Sequence, residues 1–328
     1  SKPYKADFSK WHAHGVDGMC YNAGHDTEIQ RAAKAAHANG MEYHAWIPAM
    51  LQHGLDSTLY AVNRKGESAY SVQDMSLLQM PVPEQEGTAE FLLNLYGKVA
   101  DIPEVDYIHL DYIRYVDVIL ARGLGKYGLV MDEEYPTADY CYCDKCVADF
   151  KAATGIDIKS VEDPSKCAEW AQFRCDLITK LVNRIADEVH GKGKKVSAAV
   201  FPGPDSHAKW MVRQEWNKWN IDAFFPMNYN DFYLEELLLA PIVKEEVAAV
   251  KGKKPVYSGL FICEDWQNKA NIKDPEGHGL IPSEIEEAVR GSMENGAAGV
   301  ALFTPGNMTD EHWKAFDKAI HQPYTVKP

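Results

Sequence analysis

The sequence predicts an α/β chain built on a closed parallel sheet, and three observations predict it. Segments of strand period and of helix period alternate along the chain. The strand segments are short and apolar, the composition of strands covered on both faces. No G-x-G-x-x-G run follows a strand and no Walker sequence is present, so the nucleotide-binding forms of an open sheet lose support. The segment lengths suit closure into a (β/α)8 TIM barrel, and 328 residues lie within the range of such barrels. A single domain spanning 1–328 is expected.

The elements follow in order. DFSKWHAH (7–14) reads as helix ended by Gly15, and VDGMCYN (16–22) as strand. Asp26 is a good N-cap for a helix that Gly40 closes. MEYHAWIP (41–48) is strand, 84–100 contains a helix, and the next strand ends at Asp111. A long insertion, about 112–162, carries a cysteine cluster and the short helix CVADFKAATG. A long helix then runs from about 164 to 190, with Pro164 in its first turn. Strands at 196–202, 221–229, 254–261 and 298–305 alternate with helices at 206–219, 233–250, 283–296 and 309–320. These make seven strand–helix pairs. The eighth strand belongs before the first helix, but SKPYKA (1–6) does not read as one; strand one is missing from the visible chain or atypical.

Bulk properties exclude several functions. An apolar content of 46% supplies a sizeable core. A net charge of −14, from 34 basic and 48 acidic residues, argues against a nucleic-acid surface and against an anionic membrane surface. No run of 18 apolar residues exists to span a membrane as a helix.

In a parallel barrel the chemistry gathers at the carboxyl ends of the strands. Those ends carry Asn22, His44 with Trp46, His109 with Asp111, Tyr112 and Arg114, then Asp205, then Asn228, Tyr229 and Asp231, then Glu264 and Trp266. Alternation places His109 and Asp111 inside, opposite Ile108 and Leu110, and puts His44 with Trp46 on one face. A carboxylate is costly to bury without partners. Asp111 therefore is either neutralised by a neighbour such as Arg114 or open to a ligand. Carboxylates, amides and aromatics at one rim suit a carbohydrate, whose hydroxyls meet acids and whose ring faces meet aromatic rings. Glycosidic cleavage wants two carboxyl groups. Asp111 is the first, as nucleophile or charge stabiliser, kept ionised by Arg114 or a Tyr hydroxyl. Glu264, Asp231 and Asp205 qualify for the second by position, and Asp132, Glu133 and Glu134 sit on a loop long enough to fold over the site. No cofactor for catalysis is expected. The plain alternatives are an Asp111–Arg114 structural pair, hydrogen-bonded core histidines and aromatic packing.

CYCDKC (141–146) is the sharpest local pattern. Cys141, Cys143 and Cys146 at a helix start have the spacing to hold one tetrahedral ion, a structural zinc. A fourth ligand is needed; Cys20, Cys167, Cys175 and Cys263 are the remaining thiols, of which Cys20, Cys175 and Cys263 read as core residues.

"YIHLDYIRYVD", "CYCDKC", "QEWNKWNIDAFFPMNYN" and "GVALF" together resemble the barrels known as family 10-like glycosyl hydrolases, over roughly residues 10 to 305. That resemblance implies a (β/α)8 fold, glycosidase activity on a carbohydrate, Asp111 as catalytic carboxylate, and an exported bacterial protein. A chain opening on Ser1 without a leader then reads as mature, periplasmic or extracellular. CYCDKC is also similar to the zinc site of glycoside hydrolase family 42. There a fourth Cys lies upstream, where SLLQMPVPEQ here has none, and the Asn-Glu pair of those enzymes is replaced by Asp111-Tyr112. Two other functions compete: a carbohydrate-binding barrel without catalysis, and a metal-dependent hydrolase using His44, His109 and Asp111.

Overall fold

The computed structural model describes residues 7–71, 80–234, 239–268 and 279–327. Seven strands are present among them: β1 (Gly18–Tyr21), β2 (Glu42–Pro48), β3 (Tyr107–Asp111), β4 (Lys195–Val200), β5 (Ala223–Pro226), β6 (Tyr257–Phe261) and β7 (Gly299–Phe303). The first five form one parallel sheet in sequence order, and β6 and β7 form a parallel pair. A parallel bridge from Phe224 to Val256 ties β5 to the start of β6. This is the curled parallel sheet of a TIM-like fold. The seven strands are the seven expected from sequence; no eighth strand lies among the described residues, and SKPYKA, where strand one belongs, falls outside them.

The longer helices bury apolar stripes. Helix α2 (Asp26–Ala38) buries Ile29, Ala32, Ala33 and Ala36, a spacing of three and four. Helix α9 (Asp310–Ile320) does the same with Trp313, Phe316 and Ala319, and Thr309 caps it by accepting from His312 N. Several boundaries move. Asp26 is the first residue of α2 rather than its cap, since His25 holds the cap position. Pro164 opens a separate short turn, and the long helix runs Ala168–Gly191. The helix expected over 206–219 is broken: a wide turn at Pro204–Ala208 leads into Lys209–Val212, where Arg213 takes a left-handed backbone (φ +59°), and a short turn follows at Trp216–Lys218. Apolar and aromatic residues recur there at helical spacing, but Arg213 and Gln214 are buried for polar contacts, and those override the period.

The insertion after β3 is held by buried charge. Asp139 is fully buried and bonds the equally buried Arg174 of the long helix. Tyr142 Oη donates to the same carboxylate at 2.6 Å, and Trp170 Nε1 donates to Tyr142 Oη at 3.2 Å. Arg213 Nη2 donates to Glu134 Oε1 at 2.6 Å, so Glu134 serves this framework rather than folding over the strand mouths.

Candidate active site

A cavity of about 1130 Å³ runs along the inside of the strands. His109 and Asp111 both line it, as alternation requires, together with His44, Trp46, Asn22, Tyr112, Arg114 and Tyr229. Its other walls include Tyr21, Phe225, Phe232, Tyr233, Phe261 and Phe303. Tyr229 stacks on Phe303 and on Phe261 with ring centroids 5.3 and 5.4 Å apart, and Phe303 remains 43% exposed at the rim.

Asp111 ends β3, and the backbone turns sharply after it. Tyr112 has φ +50°, a left-handed conformation that costs a non-glycine residue roughly 1–3 kcal/mol. That turn folds the Tyr112 N–H back onto Asp111 Oδ1 at 2.7 Å. Backbone hydrogen bonds to the Asp111 and Tyr112 carbonyls from Ala49 and Met50 hold the turn. Trp46 Nε1 donates to the other oxygen, Oδ2, at 2.8 Å. β2 pairs with β3 so that Pro48 lies opposite Asp111, which sets Trp46 within reach. Burial pushes the Asp111 carboxyl up from its ordinary range; the two N–H donors and the field of Arg114 pull the other way without cancelling it.

Arg114 does not bond Asp111. Its Nη1 donates to Asp117 Oδ2 at 2.9 Å and to the Tyr115 carbonyl at 3.0 Å. The structural-pair reading of Asp111 therefore loses its partner, and so does the expectation of direct neutralisation by a cation. Asp117, six residues on from Asp111, was not singled out from sequence.

The candidate second acids lie elsewhere. Glu264 is exposed on the turn after β6, Asp231 sits in a left-handed turn (φ +64°) after β5, and Asp205 is exposed at the wide turn after β4; none lines the cavity. Asp111 is the cavity's one carboxylate at this end among the described residues. The other two in its wall, Asp17 and Glu42, stand at the amino ends of β1 and β2. Asn228 is buried behind the wall, donating to Glu246 Oε2 and Ser258 Oγ at 3.0 Å each. Trp266 packs edge-on to His312 and is not in the wall either.

His44 and His109 lie below Asp111, each about 95% buried. Their Nδ1 atoms both meet Ser197 Oγ, at 2.8 and 2.9 Å, and Cys20 Sγ stands 3.6 Å from His109 Nδ1. Burial pushes both imidazoles down, so both are neutral near pH 7. Cys20 and Ser197 were missed as site residues. The register was the available signal: Cys20 pairs with His44, and Ser197 pairs with His109 as the one hydroxyl in KVSAAV.

The thiols of Cys141, Cys143 and Cys146 lie within 4.8 Å of one another, and none of the other four cysteines joins them. Val62 N and Cys143 N point at Cys141 Sγ from 3.5 and 3.4 Å. The buried Tyr115 hydroxyl has no hydrogen-bond partner, and its pKa is raised first by burial and then by these same sulfurs. Three converging thiols with an unmatched phenol beside them fit a metal ion.

No protein-family model matches the sequence, and comparison with curated proteins finds no match. Solved structures are similar in fold. The β-galactosidase of Bacillus circulans sp. alkalophilus superposes with a TM-score of 0.62 at 13% identity, over 95% of this chain and 52% of its own. The β-galactosidase of the psychrophilic Marinomonas ef1 gives 0.60 at 10% identity, over 96% and 57%. The chitinase of Chromobacterium violaceum ATCC 12472 gives 0.53 at 10% identity, over 98% of each chain. The chain thus spans about half the length of the galactosidases and the full length of that chitinase. No described helix is long and apolar enough to cross a membrane.

Proposed function

We propose that this chain is a glycoside hydrolase of the family 10-like barrel group, cleaving glycosidic bonds of an oligo- or polysaccharide outside the cytoplasm. The observation that carries the reading is Asp111: a half-buried carboxyl at the carboxyl end of a parallel strand, held by two N–H donors and no cation, facing an aromatic-walled cavity. The shared fold of galactosidases and a chitinase supports it. Such a carboxyl keeps its proton to higher pH, which suits the acid that protonates a leaving glycosidic oxygen. Trp46 and Tyr112 fix its two oxygens. Once the proton has left, the same N–H groups stabilise the carboxylate against positive charge growing on the sugar carbon. The partner carboxylate is proposed among Glu264, Asp231 and Asp205, which stand after β6, β5 and β4 outside the cavity wall. Digestion of a panel of defined oligosaccharides, read for released sugars, tests the assignment. Cleavage by the parent chain and none by Asp111→Asn is the expected result; unchanged cleavage by that variant removes it.

A second reading, a barrel that binds carbohydrate without cutting it, is favoured by one observation: the cavity wall carries a single carboxylate at this end among the described residues. Retention of a glycan on the parent chain with no product after long incubation decides for it.

We also propose that Cys141, Cys143 and Cys146 hold a structural zinc, with Tyr115 beside the fourth position. Bound there, zinc would tie the insertion together. Loss of one zinc per chain in Cys146→Ala, with a lowered melting temperature, is the expected result.

A further inference from the structure

We infer that Cys20, His44 and His109 form a second metal site, for one zinc-like divalent cation, inside the strand cylinder and two residues below Asp111. Their donor atoms all lie within 4.8 Å of one another. They come from three adjacent strands, and all three residues line the cavity, so a cation has a route to them. Zinc with a sulfur near 2.3 Å and a nitrogen near 2.05 Å in a tetrahedral arrangement separates those two ligands by roughly 3.6 Å. Cys20 Sγ and His109 Nδ1 are 3.6 Å apart.

Hydrogen bonding alone does not settle this cluster. His109 Nδ1 faces both Ser197 Oγ and Cys20 Sγ, and His44 Nδ1 faces the same hydroxyl. A ring nitrogen has one proton or one lone pair, and a hydroxyl or thiol one proton. Whichever tautomers are chosen, His109 Nδ1 has a single proton or lone pair to share between Ser197 Oγ and Cys20 Sγ. A cation resolves the conflict by taking a lone pair from each group. On the side of His44 away from the cluster, Nε2 stands 3.8 Å from Glu42 Oε2, beyond hydrogen-bond distance. Ser197 Oγ lies where the nitrogens converge. Ligands around zinc stand roughly 3.3 Å apart, so this hydroxyl draws back by about half an ångström to complete the tetrahedron, or yields its place to water. Cys20 loses its proton to solvent as the metal–sulfur bond forms. Two nitrogens and a thiolate favour zinc over magnesium or calcium. The site does not depend on the glycosidase reading.

The test measures zinc directly. The full chain is equilibrated with Zn²⁺, desalted, and analysed for metal per chain in the parent, Cys20→Ala, His109→Gln and Cys146→Ala. A parallel titration with Co²⁺ reads the thiolate-to-cobalt absorption. The expected result is one equivalent fewer in Cys20→Ala and in His109→Gln than in the parent. Cys146→Ala keeps the equivalent that depends on Cys20, so the double variant Cys20→Ala/Cys146→Ala holds one less than Cys146→Ala. Should Cys20→Ala fail to fold, Cys20→Ser supplies the same comparison. Equal zinc in the parent and a folded Cys20 or His109 variant overturns the inference. A chain that cleaves no glycan yet loses zinc with Cys20 sinks the glycosidase reading and leaves this site standing.

Discussion

Asp111 and Asp139 are both carboxylates withdrawn from water, and they differ in what meets them. Asp139 is met by guanidinium: Arg174 bonds it directly and Arg64 Nε stands 3.5 Å away, while Tyr142 fills another lone pair. Among the described residues Asp111 is met by neutral N–H groups alone, and the nearby Arg114 guanidinium is committed to Asp117. A paired charge can be closed off completely, and Asp139 has no exposed surface. A charge held only by neutral donors stays responsive to whatever enters beside it, and Asp111 faces a cavity. On the proposed reading, the pairing of a buried carboxylate separates framework from chemistry.

Variants at the two positions sharpen that contrast, beginning with the largest effect. Asp111→Asn is expected to lower kcat on a cleaved glycan by about a thousandfold or more, roughly 4 kcal/mol of barrel-mouth chemistry, while its melting temperature stays within a few degrees of the parent. Asp139→Ala should do the opposite. Stranding Arg174 costs about 3–5 kcal/mol, to be read by urea unfolding, with kcat for the folded fraction retained. A loss of activity per folded molecule in Asp139→Ala would erase the distinction drawn above.

Glu246 is a third case, buried with no cation against it among the described residues. Burial pushes its carboxyl up to about 8 from 4.5, despite hydrogen bonds from Asn228 and Gly203. A folded pKa above the unfolded one means that the folded state binds more protons between the two values. Stability is therefore full below about pH 4.5 and falls as pH rises toward 8. Glu246→Gln should flatten that fall, by on the order of 4 kcal/mol between pH 4.5 and 9. Parallel urea curves for parent and variant at both pH values would show the idea to be mistaken. Trp46→Phe removes one donor from Asp111 and should cost about tenfold to a hundredfold in kcat, in line with roughly 1.5–3 kcal/mol for a hydrogen bond to a charged group. KM should change little. Tyr142→Phe is the smallest kinetic test: roughly 1.5–3 kcal/mol of stability, for the bond to the Asp139 carboxylate, with no kinetic effect.

Much of this molecule can be read from its sequence, for local reasons. The alternation in YIHLD placed His109 and Asp111 inside because side chains flip at every strand residue, and both line the cavity. The stripe Ile29, Ala32, Ala33, Ala36 fixes the buried face of α2 in the same way. Position along a strand did not reveal partners. Arg114 is three residues from Asp111 in sequence, yet the turn at Tyr112 sends its guanidinium to Asp117. Asn228 sits at a strand end like a sugar ligand and is drawn behind the wall by Glu246, a helix residue 18 positions later. Cys20 and Ser197 join the histidines only through strand register.

The sequence by itself determined the alternating strands and helices, the inward face of β3 and the three-thiol cluster, because period and short spacing are properties of adjacent residues. The tertiary structure alone decided that Asp111 meets Trp46 and, among the described residues, no cation, that Asp139 is sealed by Arg174, and that a thiol and two imidazoles converge in the cavity wall. Those contacts join residues tens of positions apart, and only the register of neighbouring strands and the packing of helices against them bring such groups within bonding distance.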